Sequence, residues 1–133
     1  MMTRRAIGSE LPPVVVALTP ERVRAFTALA GDRNATHYDD ATARAQGFAG
    51  ALVHGAVTIS VILRTLTGDG THRFAADDDL ALTFLVPVAP GDTLTGRARV
   101  TETADAHTTY DVWCENQYRV RVLAGTARTR DTR

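Results

Sequence analysis

The spacing of apolar residues changes character along the chain. Val14 to Leu18 form a short, β-branched run after Pro12-Pro13, which predicts a strand. Val23, Phe26 and Ala30 then fall on one face of a helix. Thr19 is suited to cap that helix, Pro20 to its first position and Gly31 to its end. From Asp32 to Ala51 the pattern is irregular, with a short helical turn expected over Asp40 to Ala45 before Gly47; so long an irregular stretch in a small domain is usually either functional or disordered. From Gly55 to Leu66 apolar residues occur on all sides, over more positions than an ordinary strand has. This predicts a helix buried all round and stopped by Gly68.

After the "GDGTHRFAADDD" loop the period drops to two. Leu80, Leu82, Phe84 and Val86 alternate with Ala81, Thr83 and Leu85; after the Pro90-Gly91-Asp92 turn, Leu94, Gly96, Ala98 and Val100 alternate with Thr95, Arg97 and Arg99. These are two antiparallel strands. Tyr110, Val112 and Cys114 define a third, and after a turn near Asn116-Gln117 the chain returns through Tyr118, Val120 and Val122 toward Ala127. The expected architecture is α+β, with a single antiparallel sheet of about five strands wrapped around one apolar helix.

Composition narrows the function. The 133 residues suit one domain, 1–133, with basic ends (1–10 and 130–133) expected to fray. Fifteen basic residues balance fifteen acidic ones, so the broad positive field used by nucleic-acid or membrane-surface binders is missing. Neither partner is expected. A single cysteine, Cys114, cannot form an internal disulfide, and no secretory leader is recognisable, so the cytoplasm is the expected location. The longest apolar stretch is broken by His54, Arg64 and several hydroxyls and is too short to span a bilayer.

Chemistry concentrates in "GDRNATHYDD", Gly31 to Asp40, and in His54-Gly55 further on. Asp32 and His37 are a carboxylate and an imidazole which, on one water, could divide the two proton movements of hydration or dehydration. The N–H of Gly55, in the first turn of the buried helix, could hold a carbonyl oxygen as it gains negative charge. Plainer roles compete. Asp32 and Asn34 suit turns, His37 a structural hydrogen bond, His54 a buttress, and Asp39 and Asp40 helix caps. Asp32, His37, Asp39 and His54 follow no metal-ligand spacing, so no metal is expected.

Phe26 to Leu63, "FTALAGDRNATHYDDATARAQGFAGALVHGAVTISVIL", resembles the signature of the MaoC-like, R-specific enoyl-CoA hydratases. Their pattern has Gly-Asp, then Asn-Pro-Leu/Ile-His and Asp, then Gly-Phe and an apolar residue before His-Gly. "LTFLVPVAPGDTLTGRARV" and "AGTARTR" are similar to later strands of that family. The resemblance implies the hot-dog fold, a long central helix wrapped by an antiparallel sheet, and homodimers or larger assemblies with an acyl-thioester channel at the subunit interface. It implies Asp32 and His37 as the catalytic dyad, Gly55 as the oxyanion-hole donor, and Asn34, Phe48 and His54 around the substrate, with no cofactor. The reaction would be addition of water to a 2-enoyl thioester of CoA or carrier protein, giving the 3R-hydroxyacyl thioester, or the reverse.

The sequence departs from the pattern in three places. Ala35-Thr36 replaces Pro-Leu/Ile, Ala51 replaces a proline, and Leu63 stands where some members have a pocket serine. Each lost proline frees the unfolded chain by ~0.5–1 kcal/mol where the native backbone suits proline. These changes motivate a second reading: a dehydratase, isomerase or cyclase using the same dyad on an unsaturated biosynthetic intermediate. A third is a non-catalytic acyl-binding or partner subunit, against which the retained Asp32, His37 and Gly55 argue. Elsewhere, Cys114 is expected to be a buried thiol, Trp113 to face outward, Asp77 to Asp79 to be solvated, and Arg64 or Arg73 to be available to an anionic group.

Overall fold

The computed structural model describes residues 5–31, 34–68, 74–75 and 77–131. Strand β1 is Val14–Ala17 and helix α1 is Pro20–Ala30. The Thr19 hydroxyl accepts from Arg22 N, and Gly31 ends α1 at φ 66°, the left-handed geometry glycine adopts without a Cβ penalty. A single 3₁₀ turn at Ala35–His37 and helix α2, Asp40–Ala45, order much of the irregular stretch. Helix α3 runs Gly55–Thr67. Four strands follow: β2 Asp79–Phe84, β3 Thr93–Ala104, β4 His107–Glu115 and β5 Arg121–Arg130.

The five strands form one antiparallel sheet in the order β1-β3-β4-β5-β2. Although β2 and β3 are consecutive, they are not neighbours. β2 pairs with β5, through Leu80 with Ala127 and Phe84 with Leu123, and is one edge of the sheet. The inward positions of β3 and β4 (Leu94, Ala98, Val100, Tyr110, Val112, Cys114) form the core with Val61, Ile62 and Leu66 of α3. Gly96 gives the helix room to lie on the sheet, because a Cβ there would come 2.2 Å from Thr65 Oγ1. Trp113 faces the other way, with the Arg121 and Arg99 guanidinium groups 4.3 and 5.9 Å from its ring.

Three expectations change. Helix α3 is not buried all round: Thr58, Val61, Ile62, Thr65 and Leu66 are buried, but Ala56, Ser60 and Arg64 are exposed. Those last three recur every fourth residue, so they share one helix face. The N-terminal segment is tied down from Gly8, where Gly8 N donates to Val100 O (2.8 Å) and Leu11 N to Ala98 O (2.9 Å). Asp78 is buried rather than solvated, its carboxylate accepting from Ala75 N and Arg130 N, both at 2.7 Å. A buried carboxylate persists when backbone donors replace its water.

Candidate active site

An apolar cleft of about 380 Å³ opens between the 3₁₀ turn, the N-terminus of α3 and the chain leaving β2. His37, Leu52, Gly55, Thr58, Phe84 and Val86 are among its walls. His37 comes from the end of the 3₁₀ turn, which Asn34 starts by accepting from Thr36 N at 3.1 Å. The His37 ring is held on one side by Nδ1, 2.9 Å from Leu52 O. A carbonyl oxygen can only accept, so Nδ1 carries the proton of the neutral ring and the lone pair is on Nε2. That is the tautomer of a general base.

His54 stacks on His37 with ring centroids 3.8 Å apart and planes 22° from parallel. Phe26 meets His54 edge-on at 4.8 Å, and Thr27 Oγ1 lies 3.5 Å from His54 Nε2. His54 occupies the N-cap position of α3 but makes no side-chain capping bond; it fixes the plane of the His37 ring by packing. Gly55, the next residue, places a first-turn N–H at the cleft, where the helix has no carbonyl of its own to offer it. A Cβ on Gly55 would lie 3.0 Å from Phe84 Cζ, so glycine is what lets the Phe84 ring close over the helix start.

Other expected site residues fall as follows. Asp32 lies outside the described residues, as do His72 and Arg73. Phe48 is half-buried beyond α2 and is not among the walls of this cleft. Asp39 caps α2, accepting from Ala41 N and Thr42 Oγ1, and those bonds hold its carboxyl below its ordinary range. Asp40 is in the first turn of α2, but its carboxylate reaches across to Ala51 N, 2.8 Å away. This is the position where the family pattern has proline, which has no N–H. Thr36 is buried, and its hydroxyl donates to Gln46 Oε1 at 2.8 Å rather than lining the cleft. Sequence reasoning missed both partnerships, as well as Phe84 and the Leu52 carbonyl as parts of the site. Asp40 and Ala51 are eleven positions apart with nothing periodic between them.

Among the described residues no three His, Cys, Asp or Glu side chains are grouped to hold a metal ion, and no helix is long and apolar enough to cross a membrane. Burial pushes the Cys114 thiol up to about 12, the state of an inert core thiol rather than a nucleophile.

A helix wrapped by a five-stranded antiparallel sheet is the hot-dog architecture. The MaoC like domain model matches residues 4–120, and the chain belongs to that family. No curated protein gives a significant sequence match. Among solved structures, the (R)-hydratase from A. caviae involved in PHA biosynthesis superposes with a TM-score of 0.82 at 23% identity, covering 98% of this chain and 100% of that one. The ChsH1-ChsH2 complex from Mycobacterium tuberculosis gives 0.80 at 21%, covering 97% and 100%. A monoamine oxidase regulatory protein from Archaeoglobus fulgidus gives 0.76 at 23%, covering 97% and 93%. At these identities the likeness is one of fold.

Proposed function

We propose that the protein is a hydro-lyase that adds water to a 2-enoyl thioester, or removes it from the 3R-hydroxyacyl thioester, with Asp32 and His37 as the dyad. The observation that carries the reading is the 2.9 Å contact of His37 Nδ1 with Leu52 O, which orients the ring in the same apolar cleft that Gly55 lines. In the hydration direction the thioester carbonyl oxygen accepts from Gly55 N–H, which favours the enolate-like charge that develops there. One member of the dyad takes a proton from water as the water oxygen bonds to C3; the other gives a proton to C2. The product gains one water, and the reverse sequence eliminates it. The apolar walls from Leu52 to Val88 suit an acyl chain.

The Asp40 bond to Ala51 N and the Thr36 bond to Gln46 bear on the rival substrate reading. Two of the departures that motivated it have structural partners outside the cleft, which favours the thioester. In the same proposal the enzyme works as a homodimer. β2 is an edge strand paired on one side only, and Phe84, Leu85 and Val86 at its end are exposed although they line the cleft. A second copy pairing along β2 would cover both the backbone edge and these side chains.

The test is the ultraviolet absorbance of the enoyl thioester, followed with trans-2-enoyl-CoA substrates of several chain lengths. The absorbance should fall with wild type, and Asp32→Asn and His37→Ala should each slow it by ~10²-fold or more. Turnover of small unsaturated carbonyl compounds but of no thioester would favour the biosynthetic-intermediate reading; acyl binding without any turnover would favour a binding subunit. Sedimentation equilibrium should return twice the chain mass.

A further inference from the structure

A second cavity, of about 290 Å³, lies between α1, α3 and β1. It is built on the face of α3 that was expected to be buried, and β1 is at the opposite edge of the sheet from β2. In the dimer proposed above, pairing along β2 does not use β1, the strand that borders this cavity. Its interior is aliphatic and aromatic, from Leu18, Val23, Phe26 and Val57, of which Leu18 and Val23 are each 3% exposed. Its rim is cationic. Arg22 and Arg64 both border it, one from each helix, with Ser60 one turn before Arg64.

Among the described residues neither arginine is paired with a carboxylate. The ion pairs among the described residues use Arg24, Arg97, Arg99 and Arg130. Arg22 Nη1 donates to Ala17 O at 3.1 Å, which fixes the side chain over the cavity and leaves most of its five donors for another acceptor. An uncharged apolar ligand would fill the interior but gain nothing at the rim, and a cation would be repelled. We infer that this cavity is a second ligand site, and that it takes an aliphatic carboxylate, the chain among Leu18, Val23, Phe26 and Val57 and the head group on Arg22 and Arg64.

The site adjoins the catalytic cleft through one ring. Phe26 lines the cavity and also meets His54 edge-on at 4.8 Å, and His54 stacks on His37. A chain pressed against Phe26 shifts the support of the His37 ring. A free fatty acid would thus reach the reaction centre without occupying it, and this last link rests on the function proposed above, whereas the binding does not.

Decanoate is the probe, titrated by calorimetry into the full chain carrying His37→Ala, so that turnover plays no part. Saturable binding at one site is expected, weakened at least tenfold by Arg64→Ala or by Arg22→Ala, with decylamine not binding. In the otherwise wild-type protein, decanoate should move the imidazole NMR signals of His54 and His37, and Arg64→Ala should remove that response at the same concentration. Absence of binding, binding indifferent to both arginines, or equal binding of decylamine would each overturn the inference. A folded Arg64→Ala protein, shown by an unchanged thermal melt, keeps the comparison valid because Arg64 is exposed. Failure of the enoyl-CoA assay together with arginine-dependent binding would overturn the catalytic reading alone.

Discussion

Removing the Asp40 carboxylate should loosen the strand of chain that aims both His37 and Gly55. Asp40 Oδ1 accepts from Ala51 N at 2.8 Å; the next two amides are held as well, Leu52 N by Thr36 O at 2.9 Å and Val53 N by Val88 O at 2.7 Å. Leu52 O in turn holds His37 Nδ1. A hydrogen bond to a charged acceptor is worth about 1.5–3 kcal/mol, and Asp40 is exposed enough for water to replace part of it. Ala51 is only 8% exposed, so its amide would be left poorly solvated. Asp40→Ala should therefore cost ~1–2 kcal/mol. Ala51→Pro removes the donor and stiffens the unfolded chain by ~0.5–1 kcal/mol, so it should come out near neutral by itself. The two together form a double-mutant cycle in which Asp40→Ala costs under ~0.5 kcal/mol once Ala51 is proline. Urea denaturation gives the free energies, and hydrogen exchange at the Ala51 amide gives the local opening. An equal cost of Asp40→Ala in both backgrounds, or unchanged protection of the Ala51 amide, would refute the reasoning.

Thr36→Val should cost ~0.5–1.5 kcal/mol through the lost bond to Gln46 while leaving chain-length preference in the enoyl-CoA assay unchanged; an altered preference would put Thr36 in the substrate site after all. Gly96→Ala should destabilise by ~1–3 kcal/mol in a thermal or urea melt, with Thr65→Ala recovering part of the loss, because the new Cβ competes with Thr65 Oγ1 for the same space. Gly55→Ala should reduce turnover far more than stability, since the added Cβ meets the movable Phe84 ring rather than backbone; a stability loss without a loss of turnover would remove Gly55 from the proposed mechanism. Cys114 keeps its proton in the folded state to about 12, whereas an unfolded cysteine ionises near ~8.5. Its stabilising contribution is thus complete below about pH 8.5 and declines as pH rises toward 12, so the stability of wild type relative to Cys114→Ala should fall between pH 8 and pH 10. Alkylation of native protein should be slow over the same range, and fast alkylation without unfolding would show the thiol to be accessible.

What the sequence determined was local and periodic. Thr19, Pro20 and Gly31 bound α1 because a cap, a fixed φ and a left-handed end are settled within a few residues. Asp39 starts α2 for the same reason, and the alternation through Leu94 to Val100 and Tyr110 to Cys114 gave the inner face of the sheet, because strand side chains repeat every second residue. The family pattern pointed to His37 and Gly55, and the fold puts both on the walls of one cleft. Tertiary structure decided which strands meet and what the departures from that pattern are for. Nothing near β2 in sequence says that it skips β3 to pair with β5, since that choice is made by packing Leu80 and Leu82 against a core drawn from the whole chain. Asp40 looked like a cap because capping is the local use of an aspartate at a helix start; only the fold brings Ala51 N to its carboxylate. Thr36, in the same way, reads as an intrusion in an apolar position until α2 places Gln46 beside it. A polar side chain declares its chemistry in the sequence, but its partner is fixed by the packing of elements far apart in the chain.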